Sequence, residues 1–260
     1  MCGICGELHF DGRGAELATL GRMLQRLERR GPDHEGAYTD GPLGLGHRRL
    51  AIIDLSERGH QPMVDSDHGL VLVFNGTIYN HRELRDELAA AGHRFFSDSD
   101  SEVILKAYAT WGAQCVEHLH GMFAFAVWDR RQHRLFLARD RLGIKPLYYS
   151  DAGGVFRFAS TPQALLAAGG VDTAIDPVAL HHQFTLHAVV PAPRTVLQGI
   201  RKLAPGHTLT VDLDGRREQA SYWHLYASRP PQPRSEGEWT EAVHEALRQI
   251  GRASCRERVY

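Results

Sequence analysis

Met1-Cys2-Gly3-Ile4-Cys5-Gly6 opens the chain, and the reading of Cys2 decides what the rest of it is for. A side chain as small as cysteine behind an initiator methionine lets methionine aminopeptidase remove Met1. Cys2 would then carry an α-amine of pKa about 7.7–8.0 and a thiol of about 8.5 on one residue. That is a nucleophile with its own base, the arrangement found at terminal threonines. Gly3 and Gly6 let the backbone bend closely around such an end. Two other readings stand beside this one. Cys2 could be an exposed terminal residue without a role, or it could form half of a zinc or redox site with Cys5.

Composition narrows the field. The chain has 260 residues, 43% hydrophobic and 23% charged, with a net charge of −1. That is ordinary for a globular protein of one large domain or a domain and a fragment. Near-neutral charge gives no electrostatic case for nucleic acid or an anionic membrane as partner. Glu7 and Asp11 precede any long apolar run, so no secretory signal and no membrane span is expected. A lipid-anchored Cys2 would need such a signal. Cys2, Cys5, Cys115 and Cys255 are sparse and irregular, which fits a reducing, cytoplasmic location rather than a disulfide framework.

Working outward, Ile4 to Phe10 alternates as a strand. Leu17, Leu20, Leu24 and Leu27 recur at helical spacing, and Arg30-Gly31-Pro32-Asp33 makes a turn. His47 to Leu55 reads as a strand, and Leu70 to Phe74 as a buried strand ending in a turn at Asn75-Gly76. Helices follow at Tyr79–Ala91 and Ser101–Trp111, then strands at Gly121–Trp128 and Arg134–Arg139. Tyr148-Tyr149 and Val155–Ala159 are short strands, Pro162–Ala168 and Asp176–Phe184 short helices, and Thr208–Leu213 with Gln219–Trp223 a closing hairpin. Strands and helices come in separate runs without strict alternation, which predicts an α+β fold with antiparallel sheets.

Several polar groups fall at strand ends. Arg49 suits a carboxylate through its fork of donors, or is a surface arginine beside Arg48. Asn75 and Gly76 could aim an amide and a backbone N–H at a developing oxyanion, or form an ordinary turn. Asp100 could hold an ammonium, or cap the helix after it. With Cys2 these make a set that could break the side-chain amide of a free amino acid. Cys115 and Cys255 add no second pair at zinc spacing, and Cys2-x-x-Cys5 lies in a strand, so neither a metal nor a redox centre is expected.

The sequence resembles the glutaminase domain of glutamine-hydrolysing asparagine synthetases, class II glutamine amidotransferases of the N-terminal-nucleophile fold. The residues that carry the likeness are Cys2-Gly3-Ile4, Arg30 to Asp33, Arg49 to Asp54, Asn75-Gly76-Thr77-Ile78-Tyr79-Asn80, Asp100 to Leu105, Gly121 to Ala126 and Arg139 to Tyr149. The resemblance implies a four-layer αββα sandwich of two antiparallel sheets, with Cys2 as nucleophile and its α-amine as base. It implies Asn75 and Gly76 at the oxyanion, and L-glutamine bound by Arg49, Leu50, Ala51, Ile52, Ile53, Asn75, Gly76, Thr77 and Asp100. Ammonia would pass to an ATP-using synthetase domain. Family members commonly carry Glu where Thr77 stands, so an altered glutamine affinity is expected. No Ser-Gly-Gly-x-Asp-Ser loop occurs here, so ATP and Mg belong to that other domain and no cofactor is expected in this chain. Phe158 to Pro162 and Leu186 to Pro193 are similar to a subgroup that amidates the dipeptide N-acetylglutaminylglutamine. Other acceptors, a regulatory module without activity, and a homodimer remain open readings.

Residues 1–225 are expected to form the glutaminase domain. Residues 226–250, with a Pro-rich start and the stripe Trp239, Val243, Leu247 and Ile250, read as a linker and the first helix of a truncated synthetase domain. Residues 251–260 read as a foreign tail. Limited proteolysis is expected to cut within Arg229–Glu238 and to leave a fragment with full activity; loss of activity on cleavage would move the domain boundary.

Overall fold

Twelve strands and seven helices follow from the sequence in the computed structural model, which describes residues 1–226 and 232–254. In chain order these are β1 (Gly3–His9), α1 (Leu17–Leu27), β2 (His34–Asp40), β3 (Leu43–Arg49), β4 (Met63–Asp65), β5 (Leu70–Ile78), α2 (His81–Ala90) and α3 (Asp100–Trp111). Then come α4 (Cys115–His118), β6 (Gly121–Asp129), β7 (Arg134–Arg139), β8 (Tyr148–Ala152), β9 (Val155–Ala159), α5 (Pro162–Ala168) and α6 (Pro177–Thr185). The last are β10 (Arg201–Lys202), β11 (His207–Asp212), β12 (Arg217–Ser221) and α7 (Glu236–Ser254). The strands form two six-stranded sheets, ordered β10-β8-β9-β1-β3-β2 and β12-β11-β7-β6-β5-β4. Every neighbouring pair is antiparallel.

Successive side chains on a strand point to opposite faces, and three apolar clusters record the result. Leu8 and Ile4 of β1, Leu43 and Leu45 of β3, and Phe156 and Phe158 of β9 meet Val71 and Val73 of β5, with Ala124, Ala126 and Trp128 of β6, between the sheets. The opposite face of the first sheet gives Cys5 and Ala159 to Met23, Leu24 and Leu27 of α1 and Leu165 of α5. The opposite face of the second gives Leu72, Phe74, Phe123 and Phe125 to Leu84 and Leu88 of α2 and Val103, Ile104 and Ala107 of α3. The layers therefore run helix, sheet, sheet, helix, as the resemblance implied.

Two expected boundaries are corrected. Asn75-Gly76 is not a turn: β5 runs through it to Ile78, paired with β6 at Asn75↔Ala124 and Gly76↔Phe123. Glycine is required there because a Cβ would lie 2.2 Å from the Met122 carbonyl oxygen. The strand expected at His47–Leu55 instead ends at Arg49 and begins at Leu43. Its first half hid because Gly44 and Gly46 alternate with Leu43 and Leu45; a Cβ on either glycine would press on Leu20 or Leu24 of α1, within 2.9–3.1 Å. Its supposed second half coils into a loop, with Asp54 at φ 50°. At the other end, α7 exposes Trp239, Val243 and Leu247 and runs on into the expected tail as far as Ser254. Of the expected linker, residues 227–231 lie outside the described residues, as do residues 255–260 of the tail. No helix among the described residues is long and apolar enough to cross a membrane.

Candidate active site

Between the sheets the apolar rows end and polar ones continue on the same faces. On β5 the row is Val71, Val73, Asn75, Thr77; on β3 it is Leu43, Leu45, His47, Arg49. Cys2 sits one step ahead of β1, on the same face as Ile4, where the register places Gly3 opposite Arg48. A cavity of about 200 Å³ opens at this end, with Cys2, Arg49, Asn75, Gly76, Thr77 and Asp100 in its wall. Leu50, Ile52 and Ile53 line it as well; Ala51 does not, its N–H being taken by Asp33 Oδ2 at 2.8 Å. The volume fits a ligand smaller than the drug-sized molecules that occupy about 300–1,000 Å³ sites.

The same alternation separates the first two cysteines. Three residues apart on an extended chain, Cys2 faces the cavity and Cys5 the α1 layer, so they cannot share a metal or close a redox pair. Among the described residues no group of three or more His, Cys, Asp or Glu side chains could hold a metal ion.

Around Cys2 Sγ the peptide groups of Leu50 provide both contacts: its N–H donates at 3.4 Å and its carbonyl accepts at 3.6 Å. Burial pushes the thiol above its ordinary value, and the Leu50 N–H and the positive chain terminus pull it back. The Arg30 guanidinium donates from Nε to the Cys2 carbonyl at 3.0 Å. Gly31 lets β3 pass beside that arginine, since a Cβ would lie 2.3 Å from the Arg48 carbonyl. The turn Arg30 to Asp33, whose residues carried no individual roles in the sequence, thus fixes both Cys2 and the loop facing it.

Arg49 behaves differently from a free clamp. Its guanidinium donates to the carbonyls of Ser56 (3.0 Å), Ile53 (3.3 Å) and Asp54. These bonds coil residues 50–56 into the cavity wall. Asp54 extends the tie, its carboxylate accepting from Ser56 and from the Asp98 N–H at 3.0 Å. Nor does Asp100 cap α3: Ser99 does, accepting from the Ser101 N–H at 3.2 Å. Asp100 instead turns to the cavity and accepts from the Ile78 N–H at 3.0 Å. Burial raises its pKa to about 6, opposed by that bond.

The edge of β5 explains Gly76. Phe74 N–H donates to Gln61 Oε1 at 2.6 Å, and Phe74 carbonyl accepts from His47 Nε2 at 3.0 Å. Ile78 N–H goes to Asp100, so the backbone groups of residues 74 and 78 point away from β6. In an antiparallel ladder this direction alternates with period two, so the Gly76 N–H points the same way, into the space beside Cys2. Burial holds His47 down to about 3, so the neutral ring donates from Nε2. Gln61 completes the wall, its Nε2 donating to Ser101 Oγ at 3.0 Å. No local pattern in the sequence marks Gln61 or His47, because their role depends on which strand lies opposite.

The most informative group is Asn75. It is 1% exposed, yet among the described residues neither its Oδ1 nor its Nδ2 has a hydrogen-bond partner. Buried amides are almost always paired. This one faces the cavity.

The family described as "Glutamine amidotransferase domain" matches residues 1–223. "Asparagine synthetase [glutamine-hydrolyzing] 3" of Bacillus subtilis is 39% identical over 88% of this chain and 38% of its own length. "Amidase chyE" of Penicillium rubens is 34% identical over 95% of this chain and again 38% of its own length. The chain thus spans about two-fifths of the length of these curated relatives. Among solved structures, glutamine phosphoribosylpyrophosphate amidotransferase from B. subtilis shares the fold, with a TM-score of 0.64 at 18% identity over 86% of this chain and 50% of that one.

Two stability effects are expected from this geometry. Asn75→Leu replaces an unmet amide by an apolar side chain of the same branching, a gain of about 1 kcal/mol or more; the thermal midpoint should rise by about 2–4 °C. A fall would show that the amide is satisfied in the resting protein. For Asp100 the folded pKa of about 6 lies above the ordinary value of 3.8, so folding stability is lost as the pH rises through that window. Asp100→Asn should therefore raise the midpoint above pH 6 and leave it unchanged below pH 4, read by thermal denaturation at both pH values.

Proposed function

The chain belongs to the glutamine amidotransferase domain family, and from that premise we propose that it hydrolyses L-glutamine to L-glutamate and ammonia at Cys2. The observation that carries this reading is the unpartnered Asn75 amide, buried in the same cavity as the Cys2 sulfur. A donor kept without a partner in the resting protein is available for an oxygen that becomes negative during reaction.

Once Met1 is removed, the Cys2 α-amine takes the thiol proton and Sγ attacks the side-chain carbonyl carbon of glutamine. The oxyanion lies between Asn75 Nδ2 and the Gly76 N–H. The protonated amine then gives its proton to the departing nitrogen, and ammonia leaves behind a Cys2 thioester. Water, deprotonated by the same amine, releases glutamate and restores the thiol. The role of Asp100 is to pair with the substrate ammonium. Arg49 holds the 50–56 loop and faces the carboxylate end. Thr77, where family members commonly carry a glutamate, leaves Asp100 as the main counter-charge and alters the affinity for glutamine.

Ammonia produced here is proposed to serve a synthetase domain that binds ATP and Mg and amidates aspartate; the B. subtilis relative is named a glutamine-hydrolysing asparagine synthetase. The Penicillium relative, named an amidase and 34% identical over 95% of this chain, keeps other acceptors, the dipeptide among them, as the second reading. The cytoplasm is the proposed compartment, where the thiols of Cys2, Cys5 and Cys115 stay free.

Purified protein with Met1 removed should convert glutamine to glutamate and ammonia, and Cys2→Ala should abolish turnover without unfolding the chain. Full activity of that variant would end the assignment. Material that retains Met1 should be inactive, because the base becomes an amide nitrogen. Asn75→Ala should lower kcat about 10²–10³-fold; a rise in KM alone would assign Asn75 to ground-state binding. The KM for glutamine should climb as the pH falls through about 6, where Asp100 takes up its proton, and that pH dependence should vanish in Asp100→Asn.

A further inference from the structure

The loop between β7 and β8 inverts the usual order of burial. Leu142 and Ile144 are 65% and 53% exposed, while the neighbouring Lys145 is 6% exposed. Lysine is almost never buried without a partner, and an unpaired buried charge costs far more than an exposed leucine. Among the described residues Lys145 makes no ion pair. Its side chain instead lines the cavity with Met1, Cys2 and Met122.

This placement is built rather than accidental. Asp140 accepts from the backbone N–H groups of Phe123, Leu142, Ile144 and Lys145 at 2.9–3.1 Å. From the other side Arg139 donates to the carbonyls of Gly143, Lys145 and Leu203 at 2.6–2.8 Å. Two charged side chains are devoted to fixing a short loop that brings Lys145 to the cavity wall.

We propose that Lys145 is a positioning residue for the reaction at Cys2: its charge keeps the Cys2 α-amine in the neutral, proton-accepting form and favours the thiolate. The proposal rests on Cys2 being the nucleophile. A nearby cation disfavours an ammonium and favours a thiolate, so it lowers both pKa values. The other charges around this end are Arg30 ahead of β2, Arg49 at the end of β3 and Asp100 at the start of α3; the first two act with Lys145 and the last against it. Burial and the Arg30 guanidinium hold Lys145 below its usual range, while the Cys2 sulfur and Asp140 raise it. Arg30 is tied to the Cys2 carbonyl and Arg49 to the carbonyls of Ser56 and Ile53, which leaves Lys145 as the cation of the cavity wall whose donors are not taken up among the described residues.

The test compares Lys145→Met, Lys145→Gln and Lys145→Arg with the parent, all in the full chain with Met1 removed. Two pH profiles are read: kcat/KM for glutamine, and alkylation of Cys2 by iodoacetamide, located by peptide mass spectrometry. In both neutral variants the acid limb of turnover and the alkylation midpoint should move up by about one pH unit. Lys145→Arg should stay with the parent. A purely structural lysine would lower rates at every pH without moving either midpoint, and that outcome overturns the proposal. So does Lys145→Arg behaving like the neutral variants. If the alkylation midpoints shift as expected while even the parent fails to hydrolyse glutamine, the electrostatic role stands and the glutaminase reading falls.

Discussion

The pleat of the two central sheets is the constraint on which the site depends. Residues two apart on a strand share a face, and here the faces that meet are apolar at one end and polar at the other. Val71 and Val73 lead to Asn75 and Thr77; Leu43 and Leu45 lead to His47 and Arg49; Leu8 and Ile4 lead to Cys2. A slip of one residue in β5 would turn Asn75 toward α3 and Phe74 toward Cys2. The register that builds the core therefore also builds the cavity, and the site needs no separate scaffold.

That economy has an energetic counterpart. Among the described residues, the polar end of the layer contains an amide without partners at Asn75, a carboxyl with a raised pKa at Asp100 and an ammonium without an ion pair at Lys145. Each is a group that a protein selected for stability alone would remove. The apolar end offsets them, with Trp128, Phe156 and Phe158 fully buried between the sheets. Stability is gained at one end of a single layer and lost at the other, which keeps the reactive groups close to rigid strands.

The sequence made part of this legible. Alternation and helical spacing located β1, α1, α3, β6 and β7, because their patterns are long and local. The set Cys2, Arg49, Asn75, Gly76 and Asp100 was found through its residue types and its likeness to a family, and all five reach one cavity. What escaped was non-local. Asn75-Gly76 reads as a turn until β6 is placed beside it, and the Gly44 and Gly46 of β3 read as breaks until α1 is packed on them. Arg49 read as a clamp with free donors, whereas loop carbonyls that no pattern announces take up its guanidinium. Gln61 and His47 carried no signal, since each acquires meaning from a strand distant in sequence, and Lys145, inside the family-like stretch Arg139 to Tyr149, carried no role of its own.

Met1 lines the cavity beside Cys2, and this fixes more than the fate of one residue. Any polypeptide placed ahead of it would have to pass the cavity wall that Met1 lines and would leave Cys2 with an amide where the proposed reaction calls for an amine. A purification tag or a fused partner can be attached behind α7 but not in front of β1 unless a protease cuts directly before the cysteine. Under the proposed reaction, a segment of any length placed ahead of Cys2 has to be cut off directly before the cysteine.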